Sequence, residues 1–150
     1  MLKKIFLVLC VLFYAVGVVA ATEVTLFDKS GTPVAYIDTD DEYTVYLWNG
    51  TPAAYLTSSS ARNSLSLYGF NGKLLGWWVD GAIYDTGGAV SGFVKNCCPM
   101  HEPYTKYEPY KSYKRYKPYK RYREYEKFQP YLKRNWGKDL SLLLKSGCSN

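Results

Sequence analysis

Three cysteines and one histidine in the second half of the sequence have the residue types of a disulfide or a metal site: Cys97, Cys98, His101 and Cys148. In an oxidising compartment a disulfide is the default use of cysteine. Since adjacent cysteines rarely bond to each other, we expect Cys148 to pair with Cys97 or Cys98. The alternative is a tetrahedral zinc site made by all four residues. Paired Cys-x-x-Cys motifs are absent, so the sequence favours the disulfide and predicts neither metal nor cofactor.

Acidic residues offer two further kinds of chemistry. The run from Asp38 to Glu42 could hold calcium, but it lacks the glycine and spacing of an EF-hand, which favours a solvated loop. Asp28 and Asp85 could act as a pair of acids on a glycan, yet both stand at turn positions where aspartate binds backbone N–H groups. One histidine in 150 residues limits nucleophile–base schemes. The sequence therefore predicts no catalytic residues and no enzymatic activity.

Three tryptophans, Trp48, Trp77 and Trp78, could form a platform for sugar rings. Aromatic residues that recur within a structural repeat more often pack in the core. Trp78 falls outside the repeat register and is therefore the tryptophan that we predict to bind a ligand.

These residues belong to a stretch from Val24 to Phe93 in which one motif occurs four times. An aromatic residue is followed by Asp or Asn and then by a glycine, directly or after a short spacer, and the four glycines are Gly31, Gly50, Gly72 and Gly88. Five residues after each glycine comes an aromatic residue that follows a small one: Ala35-Tyr36, Ala54-Tyr55, Gly76-Trp77 and Gly92-Phe93. Such regularity indicates four copies of one structural unit.

Each copy has the composition of a β-hairpin. Asn49-Gly50 and Asn71-Gly72 favour type I′ turns, whereas the segments 28–31 and 85–88 suit longer loops built on a type I turn. One hairpin is marginal in water, and closure of several removes exposed edges. We therefore predict an all-β core of four β-hairpin repeats in a pseudo-four-fold closed arrangement. The small residues would let backbones approach each other at a crowded centre.

The aromatic-Asp/Asn-Gly and small-aromatic motifs resemble the four-fold β-flower family over residues 24–94, and they are also similar to other aromatic-Asp-Gly repeats such as the YD and WG repeats. The resemblance to the β-flower family implies a fold. It implies no established activity and no catalytic residues.

The N-terminus has the layout of a secretory signal peptide. Lys3 and Lys4 precede an uncharged, mostly apolar run from Ile5 to Ala21, and small residues follow at its end. We predict a signal peptide at residues 1–20 cleaved after Ala20, although a membrane anchor is the alternative. Export to the periplasm, the cell surface or the extracellular space would follow, with no transmembrane span after cleavage.

Charge divides the mature chain into an acidic and a basic part. Between Thr22 and Phe93 there are eight acidic and three basic side chains, whereas the segment 104–134, called the tail here, has three acidic and eleven basic ones. This asymmetry indicates that the tail meets an anionic partner or folds against the acidic part of the chain.

An aromatic residue occupies every third position of the tail. We call these ten residues the aromatic stripe: Tyr104, Tyr107, Tyr110, Tyr113, Tyr116, Tyr119, Tyr122, Tyr125, Phe128 and Tyr131. A period of three with interspersed prolines predicts an extended polyproline-II-like chain about 80 Å long, because that conformation has three residues per turn. Two alternatives are a solvated disordered linker and a short helix over residues 119–128.

Tyrosines flanked by cations suit stacking on sugars together with pairing to carboxylate or phosphate. The predicted partners are an anionic surface glycan, a lipid headgroup or a protein, while nucleic acid is disfavoured for an exported chain. The predicted function is thus an exported, non-enzymatic binding or structural module, with a carbohydrate-binding or carbohydrate-active domain as the alternative. The candidate ligand-binding residues, besides Trp78, are Tyr107, Tyr110, Tyr113, Tyr116, Tyr119 and Tyr122.

The C-terminal segment 135–150 follows the β domain (22–94) and the linker and tail (95–134). Asp139 can cap a short helix whose apolar side is formed by Leu140, Leu143 and Leu144 and which ends at Gly147. A strand through residues 140–144 is the alternative. We predict a docking segment held by Cys148.

Overall fold

The computed structural model describes residues 22–97 and 102–149, so the predicted signal peptide lies outside the described residues. The β domain is a closed barrel of eight antiparallel strands in which each strand pairs with the next. The strands are Glu23–Phe27 (β1), Pro33–Asp38 (β2), Thr44–Leu47 (β3), Pro52–Ser58 (β4), Leu65–Gly69 (β5), Leu74–Val79 (β6), Ala82–Asp85 (β7) and Val90–Phe93 (β8). The barrel closes where Phe27 of β1 lies opposite Phe93 of β8. The predicted all-β core of four hairpins in a closed arrangement is confirmed.

The four hairpins share one turn. In each, the N–H of the glycine donates to the carbonyl three residues earlier, and the four bonds of 2.9–3.0 Å are Gly31 to Asp28, Gly50 to Leu47, Gly72 to Gly69 and Gly88 to Asp85. Each hairpin also shifts its register once, by one extra residue on the second strand. Equal turns and equal bulges make the hairpins structural equivalents, as the repeat predicts.

The predicted type I′ turns at Asn49-Gly50 and Asn71-Gly72 are wrong. A type I′ turn needs positive φ at both central residues, but here the glycines have it (φ +88° for both) and the asparagines do not. Instead, the Asn49 side chain accepts from the N–H of Thr51, just as the Asp28 side chain accepts from the N–H of Thr32. Asp at the first turn position and Asn at the third therefore both accept from the N–H of the residue after the glycine. The two sequence variants of the motif consequently form the same turn.

The barrel interior is filled by aliphatic side chains and closed by the C-terminal helix, Leu140–Lys145 (α1). Leu140, Leu143 and Leu144 are buried in one cluster with the inward-facing residues of the strands. Asp139 caps the helix by accepting from the N–H of Leu142 at 3.3 Å. A side chain at Gly92 would collide with Leu140, so the small residue of the fourth hairpin makes room for the helix. The predicted helix is confirmed, and the alternative strand is wrong.

Candidate functional site: the tail and its aromatic stripe

The tail passes the four hairpin turns in order and bonds to each of them. The carbonyl of each turn glycine accepts from a tail N–H at 2.8–2.9 Å: Gly31 from Lys106, Gly50 from Arg115, Gly72 from Glu124 and Gly88 from Lys133. The four donors are spaced nine residues apart. Nine residues of the tail thus span the distance from one hairpin turn to the next. Because nine is three aromatic periods, the aromatic stripe keeps the same position relative to each hairpin.

Between these anchor points the tail has neither helix nor strand. Its backbone N–H groups donate to carbonyl groups of the barrel. The segment 119–128 is also non-helical, so the alternative prediction of a short helix there is wrong. The tail lies on the acidic part of its own chain, which is one of the two outcomes that the charge asymmetry indicates.

The residues that follow the stripe tyrosines from Tyr110 to Tyr125 face the barrel, and four lysines at these positions form ion pairs. Lys114 lies 2.5 Å from Asp38 and 2.9 Å from Glu23, Lys117 lies 2.5 Å from Asp41, and Lys120 lies 2.9 Å from Glu42; Lys111 also pairs with Glu23. The hydrogen bond from Lys111 is the main cause that lowers the pKa of the Glu23 carboxyl. In the 38–42 run, which could have held calcium, the carboxylates of Asp38, Asp41 and Glu42 therefore form ion pairs with tail lysines.

Farther along the tail this inward position changes from a cation to a carboxylate. Glu126 accepts from the hydroxyls of Ser59 (2.5 Å) and Ser66 (2.8 Å), from the N–H of Ser60 and from the indole of Trp77. Burial disfavours the ionised form, but these hydrogen bonds together outweigh burial and lower the pKa of Glu126 to about 2. The barrel offers donors here instead of carboxylates, which explains the change of residue type.

Beneath the tail the outer surface of the barrel carries pairs of aromatic residues. Tyr36 stacks on Tyr46 with ring centroids 5.6 Å apart, and Tyr55 stacks on Tyr68 at 6.4 Å. Tail cations lie over these rings: Lys111 is 4.4 Å from the centroid of Tyr36. The same register places Trp77 opposite Tyr84 and Phe27 opposite Phe93, giving four equivalent pairs.

The aromatic stripe faces outward along its whole length. All ten side chains are between 88% and 102% exposed. The predicted ligand-binding tyrosines, from Tyr107 to Tyr122, are therefore consecutive members of one accessible ridge.

Six tail cations share the exposed side with the stripe. They are Lys106, Arg115, Arg121, Lys127, Lys133 and Arg134, and within the described ranges none of them forms an ion pair. About half of the tail cations thus form ion pairs or hydrogen bonds with the barrel, and the other half are exposed to solvent.

The other candidate site residues, the tryptophans and the two turn aspartates, lie outside the tail. The tryptophans do not form one platform, because Trp77 is fully buried in the outer aromatic cluster while half-buried Trp78 packs against the barrel interior. The Asp28 and Asp85 side chains each accept two backbone N–H bonds within their own turns. Asp85 also accepts from the N–H of Lys138, so both carboxylates have structural partners.

The predicted disulfide from Cys148 is wrong. Cys148 carries a free thiol packed against the barrel interior, and its burial raises the thiol pKa. Cys97 is disulfide-bonded and therefore cannot serve as a zinc thiolate. Cys98 and His101 lie outside the described residues. Where the chain is described, no group of three metal-binding side chains occurs.

The repeat contains a further aromatic position that the aligned Asp and Asn residues do not reveal. Four residues before each turn glycine stands an aromatic residue, in the order Phe27, Tyr46, Tyr68 and Tyr84. These are the partners of the aromatic residues that follow the glycines, and together they form the surface that the tail covers. The sequence does contain a signal for them: they become apparent when the four repeats are aligned on their glycines instead of on the Asp and Asn residues.

The described part of the chain contains no helix that is long and apolar enough to span a bilayer. No curated protein and no solved structure matches the sequence. A family model described as the 4-fold beta flower protein matches residues 24–143, a range that includes the barrel, the tail and most of the helix. The chain therefore belongs to the 4-fold beta flower protein family.

Proposed function

We propose that this protein is an exported, non-enzymatic binding module whose aromatic stripe binds an extended anionic glycan of the cell envelope. The observation that carries the proposal is the exposure of ten consecutive stripe side chains, each at least 88% accessible. A folded chain gains nothing from leaving such rings in water, so their retention on one ridge favours a ligand that covers them.

The chemistry of the ridge favours a sugar polymer. Tyrosine presents a flat apolar face for stacking and a hydroxyl that stays hydrated or bonds to a sugar hydroxyl. In an extended conformation, rings three residues apart are spaced by roughly 9 Å, which suits a linear chain with repeated units. The exposed cations Arg115, Arg121 and Lys127 stand beside these rings and supply attraction for carboxylate or phosphate groups.

The barrel contributes rigidity to this surface. Backbone hydrogen bonds at Gly31, Gly50, Gly72 and Gly88 fix the tail at intervals of nine residues. A tail held in this way has already lost most of its chain entropy before it meets a ligand, so binding costs less ordering than it would for a free peptide.

A carbohydrate-active enzyme receives less support. Asp28 and Asp85 are engaged in their turns, and Asp38, Asp41 and Glu42 are paired with lysines. A general acid or base must be free to exchange a proton with the substrate, whereas each of these carboxylates already binds a backbone N–H group or a lysine.

The test is co-sedimentation of the purified mature protein with insoluble peptidoglycan and with an acidic polysaccharide gel. Replacing Tyr107, Tyr110, Tyr113, Tyr116 and Tyr119 by serine should reduce retention at least tenfold, while phenylalanine at the same positions should preserve most of it. Circular dichroism serves as the control for the fold. Retention by the serine variant equal to that of the wild type would end the proposal, as would the absence of wild-type binding to either material.

A further inference from the structure

Two equivalent tail positions, Lys114 and Arg123, face different groups on the barrel. They are nine residues apart and therefore lie at the same place relative to successive hairpins. Lys114 meets the carboxylates of Asp38 and Glu23. Arg123 meets the hydroxyl of Thr57 at 3.4 Å, and Thr57 stands two residues after Tyr55, just as Asp38 stands two residues after Tyr36. The second hairpin thus has a hydroxyl where the first has a carboxylate.

The guanidinium of Arg123 consequently has no carboxylate partner in the described part of the chain. Among residues 22–97 and 102–149, no carboxylate lies within 4.0 Å of it. Its Cζ atom lies 5.3 Å from the ring centroid of Tyr68, and this cation–π contact holds the group in place without using its N–H donors. An arginine presents five donors in a fixed fork, and most of these remain available for a ligand.

Arg123 lines an open groove of about 890 Å³ between the tail and the barrel. Lys120 is beside it, 4.3 Å from the ring centroid of Tyr55, and bonds to the exposed carboxylate of Glu42. Tyr122 and Tyr125 of the aromatic stripe line the same groove. The groove therefore brings a fork of donors next to the ridge that we propose as the sugar-binding surface.

The other carboxylates that line the groove are engaged away from Arg123. Glu124 accepts from the N–H of Leu74 at 2.6 Å. Glu126 is held by the serine hydroxyls and by Trp77. Glu42 has its partner in Lys120, so none of these three carboxylates is paired with Arg123.

We propose that this groove binds the anionic substituent, a carboxylate or a phosphate group, of a glycan whose sugar rings lie on Tyr122 and Tyr125. The inference rests on the proposed function because it names the substrate class of the same surface. The Arg123 fork selects a planar or tetrahedral oxyanion, and the aromatic ridge supplies contact area on either side of it.

The experiment measures binding of three probes to the mature protein by calorimetry and by NMR shifts: a galacturonate oligosaccharide, its methyl ester and inorganic phosphate. The acidic oligosaccharide should bind at least tenfold more tightly than its ester, since esterification removes the charge and keeps the sugar rings. Inorganic phosphate that competes for the same resonances would identify phosphate as a second form of the anion, and its failure to compete would restrict the site to carboxylate.

Two variants of the groove and one control separate this inference from the proposed function. Arg123→Gln removes the donors, and Thr57→Asp supplies the carboxylate that the equivalent hairpin has; each should weaken binding of the acidic oligosaccharide at least tenfold. Lys145→Gln removes one exposed charge on the C-terminal helix, outside both the tail and the groove, and should have an effect below threefold. Thermal unfolding verifies that each variant folds.

The outcomes are distinguishable. Unchanged binding in both groove variants, with binding lost in the tyrosine-to-serine variant, would overturn the groove and leave the stripe in place. Binding lost in the groove variants but retained in the serine variant would support the groove and refute the stripe. Equal binding of the acid and its ester would show that no anion is recognised and would overturn the groove.

Discussion

The carbonyl oxygen of Tyr113 lies in the space that a side chain at Gly50 would occupy. The same relationship holds for Tyr104 with Gly31 and for Tyr122 with Gly72. Each turn glycine therefore meets two demands. It supplies the left-handed backbone conformation of the turn, with φ +88° at Gly50, and it admits the tail backbone to close contact.

Replacing Gly50 by alanine should detach the tail locally and lower the free energy of unfolding by about 2 kcal/mol, since left-handed backbone alone costs about 1–2 kcal/mol for a residue with a Cβ. Thermal unfolding and the rate of trypsin cleavage in the tail provide the measurement. Gly87→Ala is the matched control, because Gly87 lies in an equivalent turn without positive φ and without a tail contact. Equal effects of the two substitutions would contradict the role of the close approach.

The hairpins, their closure and the C-terminal helix could be predicted from sequence because their signals are local. A glycine, an aromatic residue five positions later and an Asp139 cap each act within a few residues. The position of the tail on the barrel could not be predicted in the same way. It depends on a nine-residue spacing that becomes apparent once Gly31, Gly50 and Gly72 are known to be evenly arranged around a barrel. The bonding state of Cys148 likewise depends on tertiary distances that a sequence does not contain.

Lys114 should contribute to stability through both of its carboxylate partners. The Lys114→Met variant leaves Asp38, which is 6% exposed, without its cation, so we expect a loss of about 1–2 kcal/mol. Lys106→Met is the control, because the exposed Lys106 side chain forms no ion pair within the described residues. Urea unfolding at low salt and at 1 M salt compares the two. A Lys114 variant as stable as the Lys106 variant would refute the assignment.

The stability of the protein should decline in acid partly through Glu126. Its pKa is about 2 in the folded chain and near the ordinary glutamate value of 4.5 when the chain is unfolded. A lowered carboxyl pKa contributes stability above pH 4.5, and this contribution is lost as the pH falls from 4.5 through about 2. Glu126→Gln should therefore cost about 1.5 kcal/mol at pH 7, less than the full shift implies because water reaches the group. The difference from wild type should vanish near pH 2, and a difference independent of pH would contradict the pKa assignment.

The helix should stabilise the barrel through its inward side chains alone. Leu140 is fully buried in the barrel core, whereas Leu142 in the same helix is 66% exposed. Leu140→Ala should lower the free energy of unfolding by about 2–4 kcal/mol through lost burial and a cavity. Leu142→Ala should change it by less than about 0.5 kcal/mol. Similar losses for the two would indicate that the helix does not dock as described.

The nine-residue match between tail and hairpins can be tested by shortening the tail by three residues. Deleting Lys117, Pro118 and Tyr119 keeps the tyrosine period and moves Lys120 into the position of Lys117, so composition and local charge pairing change little. The N–H groups of Glu124 and Lys133, however, no longer reach Gly72 and Gly88, whose carbonyls they contact at 2.9 and 2.8 Å.

We expect this deletion to lower the free energy of unfolding by at least about 2 kcal/mol, because two backbone hydrogen bonds and the Glu126 network are lost together. Hydrogen exchange should become fast at Glu124 and Lys133 and stay slow at Lys106 and Arg115. The single substitution Tyr119→Ser keeps the register and alters an outward side chain, so it should leave both exchange and stability near the wild-type values. Slow exchange throughout the shortened tail would mean that any tyrosine-lysine chain binds the barrel, and the four-fold register would then carry no structural information.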